Sequence, residues 1–205
     1  GLFISLEGID GVGKSTQSDL LEEFLRGLGR DVVRTLEPGG TELGQEIRHL
    51  LLHRKGDVAP RAEALLYAAD RAHHVATKIR PALERGEVVI TDRYLDSSVA
   101  YQGAGRALKA EDVRAISMFA VEGLLPELTI LLDLDAAAAA ERRNKTGEAP
   151  DRLEREKIEF FEAVRQAFLD MAKAEPNRWL VVDARQSVEE MQAQIRARVS
   201  QLLGA

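Results

Sequence analysis

A glycine-rich stretch near the amino terminus has the residue types and spacing of a phosphate-binding loop. It fits the pattern G-x-x-x-x-G-K-[ST] at every fixed position, and its residues are Gly8, Ile9, Asp10, Gly11, Val12, Gly13, Lys14, Ser15 and Thr16. Glycines allow positive φ angles, so several backbone N–H groups can point into one concavity. Lys14 would bring a positive charge to the β- and γ-phosphates of a nucleotide, and the Ser15 hydroxyl could bind Mg²⁺. This stretch, the P-loop below, predicts a nucleotide site.

A P-loop requires a strand before it and a helix after it, and the flanking sequence favours both. Residues 2–6 form an apolar run of strand length, and leucines from Leu20 to Leu28 recur at helical spacing. A helix starting there would direct its unpaired N–H groups and its positive dipole end at the bound phosphates. This context favours a P-loop over the alternative, a flexible glycine turn.

Asp92 and Arg93 directly follow an apolar stretch, residues 87–91, that predicts a strand. P-loop phosphotransferases place a carboxylate that organises Mg²⁺ at such a strand end. A guanidinium beside it can donate two parallel hydrogen bonds to a phosphate, which a lysine cannot. The alternative for the two residues is a structural ion pair.

Tyr67 and Arg71 lie four residues apart in a predicted long helix and therefore share one face. An aromatic plane beside a planar set of donors suits a nucleobase, which could stack on one and accept hydrogen bonds from the other. The ordinary alternative is a core tyrosine beside a surface arginine.

Positive charge is concentrated in residues 142–152, which lack periodicity and which we predict to form a mobile lid. The cations are Arg142, Arg143, Lys145 and Arg152. Acidic residues are interleaved with them, so a solvated surface is the simpler explanation. In a phosphotransferase, however, such a lid would stabilise the transferring phosphoryl group and exclude water.

The elements that would position these residues alternate between strand and helix. We predict strands at 2–7, 31–36, 87–91, 128–133 and 178–183. We predict a helix capped by Thr41, a long helix at 61–85 with a bend or break at Pro81, and helices at 111–121 and 136–140. A loop runs through 102–106, one helix follows the lid and ends at about 174, and the last helix spans 187–203. The alternation predicts an α/β fold with a parallel sheet and right-handed crossovers. Ligands bind outside the carboxyl ends of such strands, where the turn at Glu37 and the Asp92-Arg93 pair fall.

Composition limits the class of protein. The 205 residues suit a single domain, 1–205, and a net charge of −6 argues against a nucleic-acid partner. No cysteine is present, which excludes disulfides, thiolate catalysis and cysteine-based zinc sites. No apolar stretch reaches the roughly 20 residues of a membrane span. We therefore expect a cytoplasmic protein whose small anionic ligands are held by local clusters of cations.

The sequence resembles the thymidylate (dTMP) kinases along nearly its whole length. Besides the P-loop, the resemblance lies in Glu37-Pro38-Gly39-Gly40-Thr41, Asp92-Arg93-Tyr94, residues 97–103, Asp151-Arg152-Leu153-Glu154 and Asp183-Ala184. It implies a doubly wound P-loop fold with five parallel strands, like other nucleoside monophosphate kinases, and a homodimer. It also implies transfer of the ATP γ-phosphoryl group to dTMP with Mg²⁺, which gives dTDP for dTTP synthesis.

The resemblance further implies individual roles for the site residues. Asp10 would approach the sugar 3′-hydroxyl and Arg93 would clamp the phosphates of both substrates. Tyr67 would stack on thymine, where the family more often has Phe. Arg71 and Gln102 would bind the edge of the base, and Tyr101 would exclude a 2′-hydroxyl. The dTMP pocket would also be lined by Glu37, Pro38, Arg48 and Ser98. Arg185 would contact adenine, and Mg²⁺ would be bound by Ser15 and, through water, by Asp92.

Within the family the sequence resembles the bacterial branch. Gly11 occupies the P-loop position that carries a cation in the other branch, so the lid would supply that cation here. Leu36 stands where the bacterial branch usually has Arg, and the spacing of the lid also differs. Which lid cation reaches the phosphates is therefore left open.

Two other functions remain open from the residues alone. The first is a different acceptor, as in another nucleoside monophosphate kinase or a deoxynucleoside kinase. The second is a nucleotide-dependent switch that binds a protein partner. Arg48, Arg71 and Arg93 around a second crevice favour small-molecule substrates, ATP and dTMP, over the switch.

Overall fold

The computed structural model describes residues 1–104, 108–144, 147 and 149–204. Within them a parallel sheet contains β1 (Leu2–Glu7), β2 (Val32–Leu36), β3 (Val88–Asp92), β4 (Leu128–Asp133) and β5 (Trp179–Asp183) in the order β2-β3-β1-β4-β5. The helices are α1 (Lys14–Gly27), α2 (Glu42–Leu52), α3 (Pro60–His74), α4 (Arg80–Glu84), α5 (Leu95–Gly103), α6 (Ala110–Val121), α7 (Ala136–Arg143), α8 (Arg152–Ala174) and α9 (Val188–Leu203). The predicted five-stranded parallel α/β fold is confirmed.

The central strand β1 is buried over its full length, as a parallel strand between helical layers must be, and its side chains are apolar except for Ser5 and Glu7. Alternate side chains point to opposite faces, so Ile4 and Leu6 pack in one apolar cluster with α1 and α9. Phe3 enters a second cluster with Ile79 and Tyr94. The sheet is therefore fixed by burial on both sides.

Parallel pairing brings the carboxyl ends of the strands to one edge. Leu6 of β1 and Leu36 of β2 both align with Asp92, the last residue of β3. On the other side of β1, Asp133 aligns with Asp183. The loops that follow these strands therefore meet at this edge.

The predicted helix starts agree with the side-chain caps. Thr41 accepts the Gly44 N–H, Asp151 accepts the Glu154 N–H, and Ser187 forms a capping box with Glu190. No helix among the described residues is long and apolar enough to cross a membrane.

The predicted long helix at 61–85 is helical from Pro60 to Glu84, and its interruption is a five-residue π-helical segment, Val75–Ile79, that joins α3 to α4 just before Pro81. Two other predictions about element boundaries are wrong. Residues 102 and 103 belong to helix α5, not to a loop, and residues 105–107 lie outside the described part of the chain. Residues 142 and 143 extend the alanine helix α7, whose composition has high helix propensity, and Arg152 begins α8.

Candidate active site

A cavity of about 750 Å³ opens at the carboxyl edge of the sheet, within the size range of small-molecule sites. Of the residues predicted from sequence, it is lined by Asp10, Gly11, Val12, Gly13, Lys14, Ser15, Thr16, Glu37, Pro38, Arg48, Tyr67, Arg71, Asp92, Arg93, Ser98, Tyr101 and Gln102. Other predicted residues lie outside this lining: Gly8, Ile9, Arg142, Arg143, Arg152 and Arg185. Lys145 lies outside the described residues.

The P-loop has the backbone conformation that its glycines allow. Gly8, Gly11 and Gly13 have φ angles of 139°, 90° and 98°, which other residues rarely adopt. The Lys14 side chain is buried across the loop, where Nζ donates to the Gly8 carbonyl at 3.0 Å and lies 3.3 Å from Asp92 Oδ1. Burial and the charge of Arg93 lower the pKa of Lys14, although Asp92 opposes this shift. Ile9, in contrast, is buried and anchors the loop in the core.

Arg93 connects the P-loop with α5. Its Nη2 donates to Asp10 Oδ1 at 3.1 Å, its Nη1 donates to Ser97 Oγ at 3.1 Å, and Cζ lies 4.9 Å from the centre of the Tyr101 ring. Its φ angle is +72°, a strained conformation for a residue with a side chain. Burial alone would lower the pKa of Arg93, but Tyr101 and nearby carboxylates hold it above its ordinary value. The guanidinium therefore stays charged, and it lies between Asp10 of the P-loop and Ser97 of α5.

Arg71 is buried beneath the cavity and is not the surface arginine of the simpler interpretation. Its Nε donates to Glu37 Oε1 at 2.6 Å, and its Nη2 donates to Ser98 Oγ at 3.2 Å and to the Tyr94 carbonyl at 3.3 Å. Its Nη1 is buried without a hydrogen-bond partner among the described residues. One donor of a fully immobilised guanidinium is thus left for a ligand.

Helix α5 supplies further unused polar atoms. Both amide atoms of Gln102 and the Tyr101 hydroxyl are buried without partners among the described residues, and both side chains line the cavity. Buried polar atoms are normally hydrogen-bonded, so these atoms mark where a polar ligand would bind. Tyr67 and the exposed side chain of Leu36 line the same cavity.

Glu37 does not offer a free carboxylate to a ligand. Oε1 accepts from Arg71, and Oε2 pairs with His74 Nδ1 at 2.7 Å, while His74 Nε2 lies 2.6 Å from Thr35 Oγ1. Burial would raise the pKa of Glu37, but Arg71 and His74 hold it below its ordinary value. Both carboxylate oxygens of Glu37 are therefore already paired, one with Arg71 and one with His74.

The turn after β2, residues 37–40, is fixed by the α3 helix and the π-helical segment that follows it. Asp70 Oδ1 accepts the Gly39 N–H at 2.9 Å and Lys78 Nζ donates to the Gly40 carbonyl at 3.0 Å. Arg48 of α2 donates to the Pro38 carbonyl at 2.7 Å. Backbone and side chains together thus hold this wall of the cavity.

The predicted lid cations differ in their positions. Arg143 donates to the Asp10 carbonyl, and its Cζ lies 5.5 Å from the centre of the Phe161 ring. Arg142 instead donates to the Ala184 carbonyl at 2.7 Å. The Arg152 side chain is 85% exposed and pairs with Glu156, away from the cavity. Among the described lid cations, only Arg143 contacts the P-loop.

Arg185 lies outside the main cavity, next to the end of β5. Its side chain is exposed and its Nη2 lies 2.9 Å from Asp183 Oδ2. Hydrogen bonds from Arg185 lower the pKa of Asp183 to about 2. The pair borders a shallow second cavity with Asp133 and Arg165.

The amino-acid sequence matches known proteins along nearly the whole chain. The model of the thymidylate kinase family matches residues 6–195. The chain belongs to the thymidylate kinase family. A thymidylate kinase of Leifsonia xyli subsp. xyli is 68% identical over 97% of this chain and 94% of its own length. Those of Clavibacter sepedonicus and Deinococcus radiodurans are 63% and 51% identical, over 100% and 98% of this chain and 97% of each relative.

Several residues of this thymidylate kinase site are absent from the sequence-based prediction. Asp70 and His74 hold the turn after β2, and Glu7 lies buried behind Arg93. Of these three residues, only Glu7 could have been noticed in the sequence, because it is a carboxylate at the end of a largely apolar strand. Asp70 and His74 are ordinary polar residues of a helix until the fold brings β2 beside them.

Proposed function

We propose that the cavity binds dTMP beside ATP and transfers the γ-phosphoryl group between them, which gives dTDP. The chain is an enzyme of the thymidylate kinase family, whose phosphoryl donor is ATP. The observation that carries the assignment of residues is the position of Arg93, which bonds to Asp10 of the P-loop and Ser97 of α5. From there one guanidinium can contact both the donor and the acceptor phosphate.

The reaction needs positioning and charge stabilisation and no nucleophile from the protein. A phosphate oxygen of dTMP attacks the γ-phosphorus in line, and the bond from that phosphorus to the β–γ bridging oxygen breaks as ADP leaves. Lys14 and Arg93 neutralise the charge that develops on the phosphates. Lys14 is buried and only 19% of the Arg93 side chain is exposed, which strengthens this effect, because electrostatic interactions are stronger away from water.

Ser15 and Asp92 fit a Mg²⁺ ion that accompanies ATP. The Ser15 side chain is exposed at the start of α1, and Asp92 Oδ1 has no hydrogen-bond partner in the described chain. Hydroxyl and carboxylate oxygens are hard ligands of the kind Mg²⁺ prefers, with substrate phosphates and water completing its shell. The ion would neutralise charge on the β- and γ-phosphates, while Asp92 also orients Lys14.

The other half of the cavity suits thymine and deoxyribose. Tyr67 would stack on the base, and the unused donors of Arg71 and Gln102 would bind its polar edge. Tyr101 would crowd a 2′-hydroxyl, and Asp10 would exchange Arg93 for the 3′-hydroxyl. The lining by Pro38, Arg48 and Ser98 completes this pocket.

Arg143 is the lid cation that we assign to the transferring phosphoryl group, because it already contacts the P-loop at Asp10. Arg142 would hold α7 against Ala184, beside the adenine that Arg185 would contact. Arg152, whose exposed side chain pairs with Glu156, and Lys145 stay predictions as lid cations. A homodimer, a cytoplasmic location and a single kinase domain over residues 1–205 stay predictions.

The proposed function is tested by a coupled assay of ADP release with ATP and a panel of acceptors: dTMP, dUMP, dCMP, dGMP and UMP. We expect dTMP to be strongly preferred and ADP release to depend on the acceptor. Equal use of dCMP would contradict the assignment of Arg71 and Gln102. Acceptor-independent ADP release would contradict the two-substrate cavity.

A further inference from the structure

Glu7 is a buried carboxylate with no role in the reaction described above. It ends β1 directly before the P-loop and is 0% exposed. It forms no ion pair within contact distance among the described residues, although Lys14 and Arg93 lie nearby. Burial and the charge of Asp96 raise the pKa of Glu7 to about 7. Such a group destabilises the fold unless its contacts offset the cost of desolvation.

The contacts of Glu7 lead directly to Arg93. Oε2 accepts the Tyr94 N–H at 3.1 Å, and Oε1 accepts the Ser97 hydroxyl. The same Ser97 oxygen accepts from Arg93 Nη1 at 3.1 Å. The carboxylate therefore holds the backbone immediately after Arg93 and, through one hydroxyl, its guanidinium.

The Ser97 contact is the firmer of the two polar side-chain contacts of Arg93. The Asp10 side chain is 68% exposed and, in the proposed function, turns to the sugar of dTMP. Ser97 is buried and is itself fixed by Glu7. When Asp10 leaves, Glu7 and Ser97 remain to hold Arg93, whose φ of +72° already needs support from its surroundings.

We propose that Glu7 is a positioning residue that acts through the Ser97 hydroxyl and the Tyr94 N–H to hold the Arg93 guanidinium toward the phosphate of dTMP. The inference rests on the proposed contact between Arg93 and that phosphate. At pH 8, where Glu7 is ionised, its carboxylate accepts both hydrogen bonds. An amide of the same shape accepts only one of them and presents an N–H₂ group to the other partner, so that either the Tyr94 N–H loses its acceptor or the Ser97 hydroxyl must turn its proton elsewhere. Glu7→Gln therefore disturbs the position of Arg93 with little change in volume.

The test compares the affinities of dTMP and thymidine, which differ only in the phosphate, by titration calorimetry at pH 8. We expect Glu7→Gln and Ser97→Ala to raise the Kd of dTMP by about tenfold each, the scale of one lost hydrogen bond to a charged group. Thymidine affinity should stay unchanged in both variants. Ser97→Thr keeps the hydroxyl and should retain the dTMP affinity of the wild type. Thermal unfolding shows which variants are folded.

Equal loss of dTMP and thymidine affinity would make Glu7 a merely structural residue and overturn the proposal, as would unchanged affinity. Arg93→Met separates this result from a failure of the proposed function. If that variant loses no more affinity for dTMP than for thymidine, Arg93 does not bind the phosphate. If it does lose dTMP affinity selectively while Glu7→Gln does not, only the positioning role fails. Should Glu7→Gln not fold, the Ser97→Ala and Ser97→Thr pair decides.

Discussion

Two buried side chains of the proposed base pocket, Arg71 and Gln102, differ in the contacts that hold them. Arg71 is bonded to Glu37, Ser98 and the Tyr94 carbonyl, and has one donor left over. The amide of Gln102 has no partner at all within the described chain. Spacing predicted that Tyr67 and Arg71 share a helix face, but no pattern predicts that Glu37 holds the arginine and is itself held by His74. Contacts between distant segments depend on the fold.

Because of this difference, we expect substitution of Gln102 to affect activity without lowering stability. Replacing Gln102 by Leu removes buried polar atoms that are unpaired in the free protein, so the free energy of unfolding should stay unchanged or rise. The kcat/KM for dTMP should fall by about ten- to a hundredfold, because a polar edge of the base loses its partner. Chemical denaturation and steady-state kinetics measure the two effects. Lower stability with normal dTMP kinetics would mean that the amide serves the fold.

Arg71→Ala is the contrasting variant. It leaves the Glu37 carboxylate buried without its arginine, which costs about 3–5 kcal/mol in comparable buried pairs. Stability and dTMP use should therefore fall together, with dTMP affected more than dCMP, whose amino group cannot accept from a guanidinium. A stable Arg71→Ala protein would show that His74 alone suffices for Glu37.

At the level of elements, strands and long amphipathic helices were predictable and short buried ones were not. The sequence of α5, LDSSVAYQG, has few strong helix formers and is buried on nearly every side, so it shows no helical stripe. Its helix is stabilised by packing and by Arg178, which pairs with Asp96 at 2.9 Å. The sequence does not predict the π-helical segment either. His74, directly before it, and Lys78, within it, both contact the strand–turn region of residues 37–40.

The fit of α7 against the P-loop depends on Gly11. A Cβ there would lie 3.0 Å from the Ala139 carbonyl and 3.2 Å from Arg143 Cγ, at a φ of +90°. Gly11→Ala should therefore displace Arg143 and lower kcat by up to about a hundredfold, the cost of a misplacement near 1 Å. The KM for dTMP should change much less. Both follow from steady-state kinetics.

Gly29→Ala is the matched control for Gly11→Ala. Its φ is +81°, but no atom lies within 4 Å of the added Cβ. Gly29→Ala should introduce the same backbone strain, which lowers the free energy of unfolding by about 1–2 kcal/mol, while its kcat stays normal. If Gly11→Ala behaves like Gly29→Ala, strain alone explains the loss and α7 has no part in it.

The whole molecule carries a net charge of −6 but gathers its functional cations at one edge of the sheet. That gathering was predictable, because parallel strands bring their carboxyl ends together. The free-energy cost of burying these charged groups was not predictable, because the burial of each one depends on the complete folded structure. Glu7 and Asp70 have pKa values raised to about 7 and about 6, chiefly by burial, while that of Glu37 is lowered. These shifts determine how the stability of the free protein depends on pH.

Between about pH 4.5 and 7 the folded protein binds more protons at Glu7 and Asp70 than the unfolded chain does. The free energy of unfolding contributed by these groups therefore falls as pH rises through this window, by at most about 1.4 kcal/mol per pH unit for each proton. Glu37 behaves in the opposite way: its pKa is lowered in the folded protein, so the stability that it contributes is lost as the pH falls below this window.

Glu7→Gln removes one of the protons taken up on folding. Urea unfolding at pH 5, 6, 7 and 8 should give a shallower decline for Glu7→Gln than for the wild type, so that the variant gains relative stability with rising pH. Parallel curves would mean that Glu7 stays ionised across the window, with Lys14 and Arg93 compensating its burial.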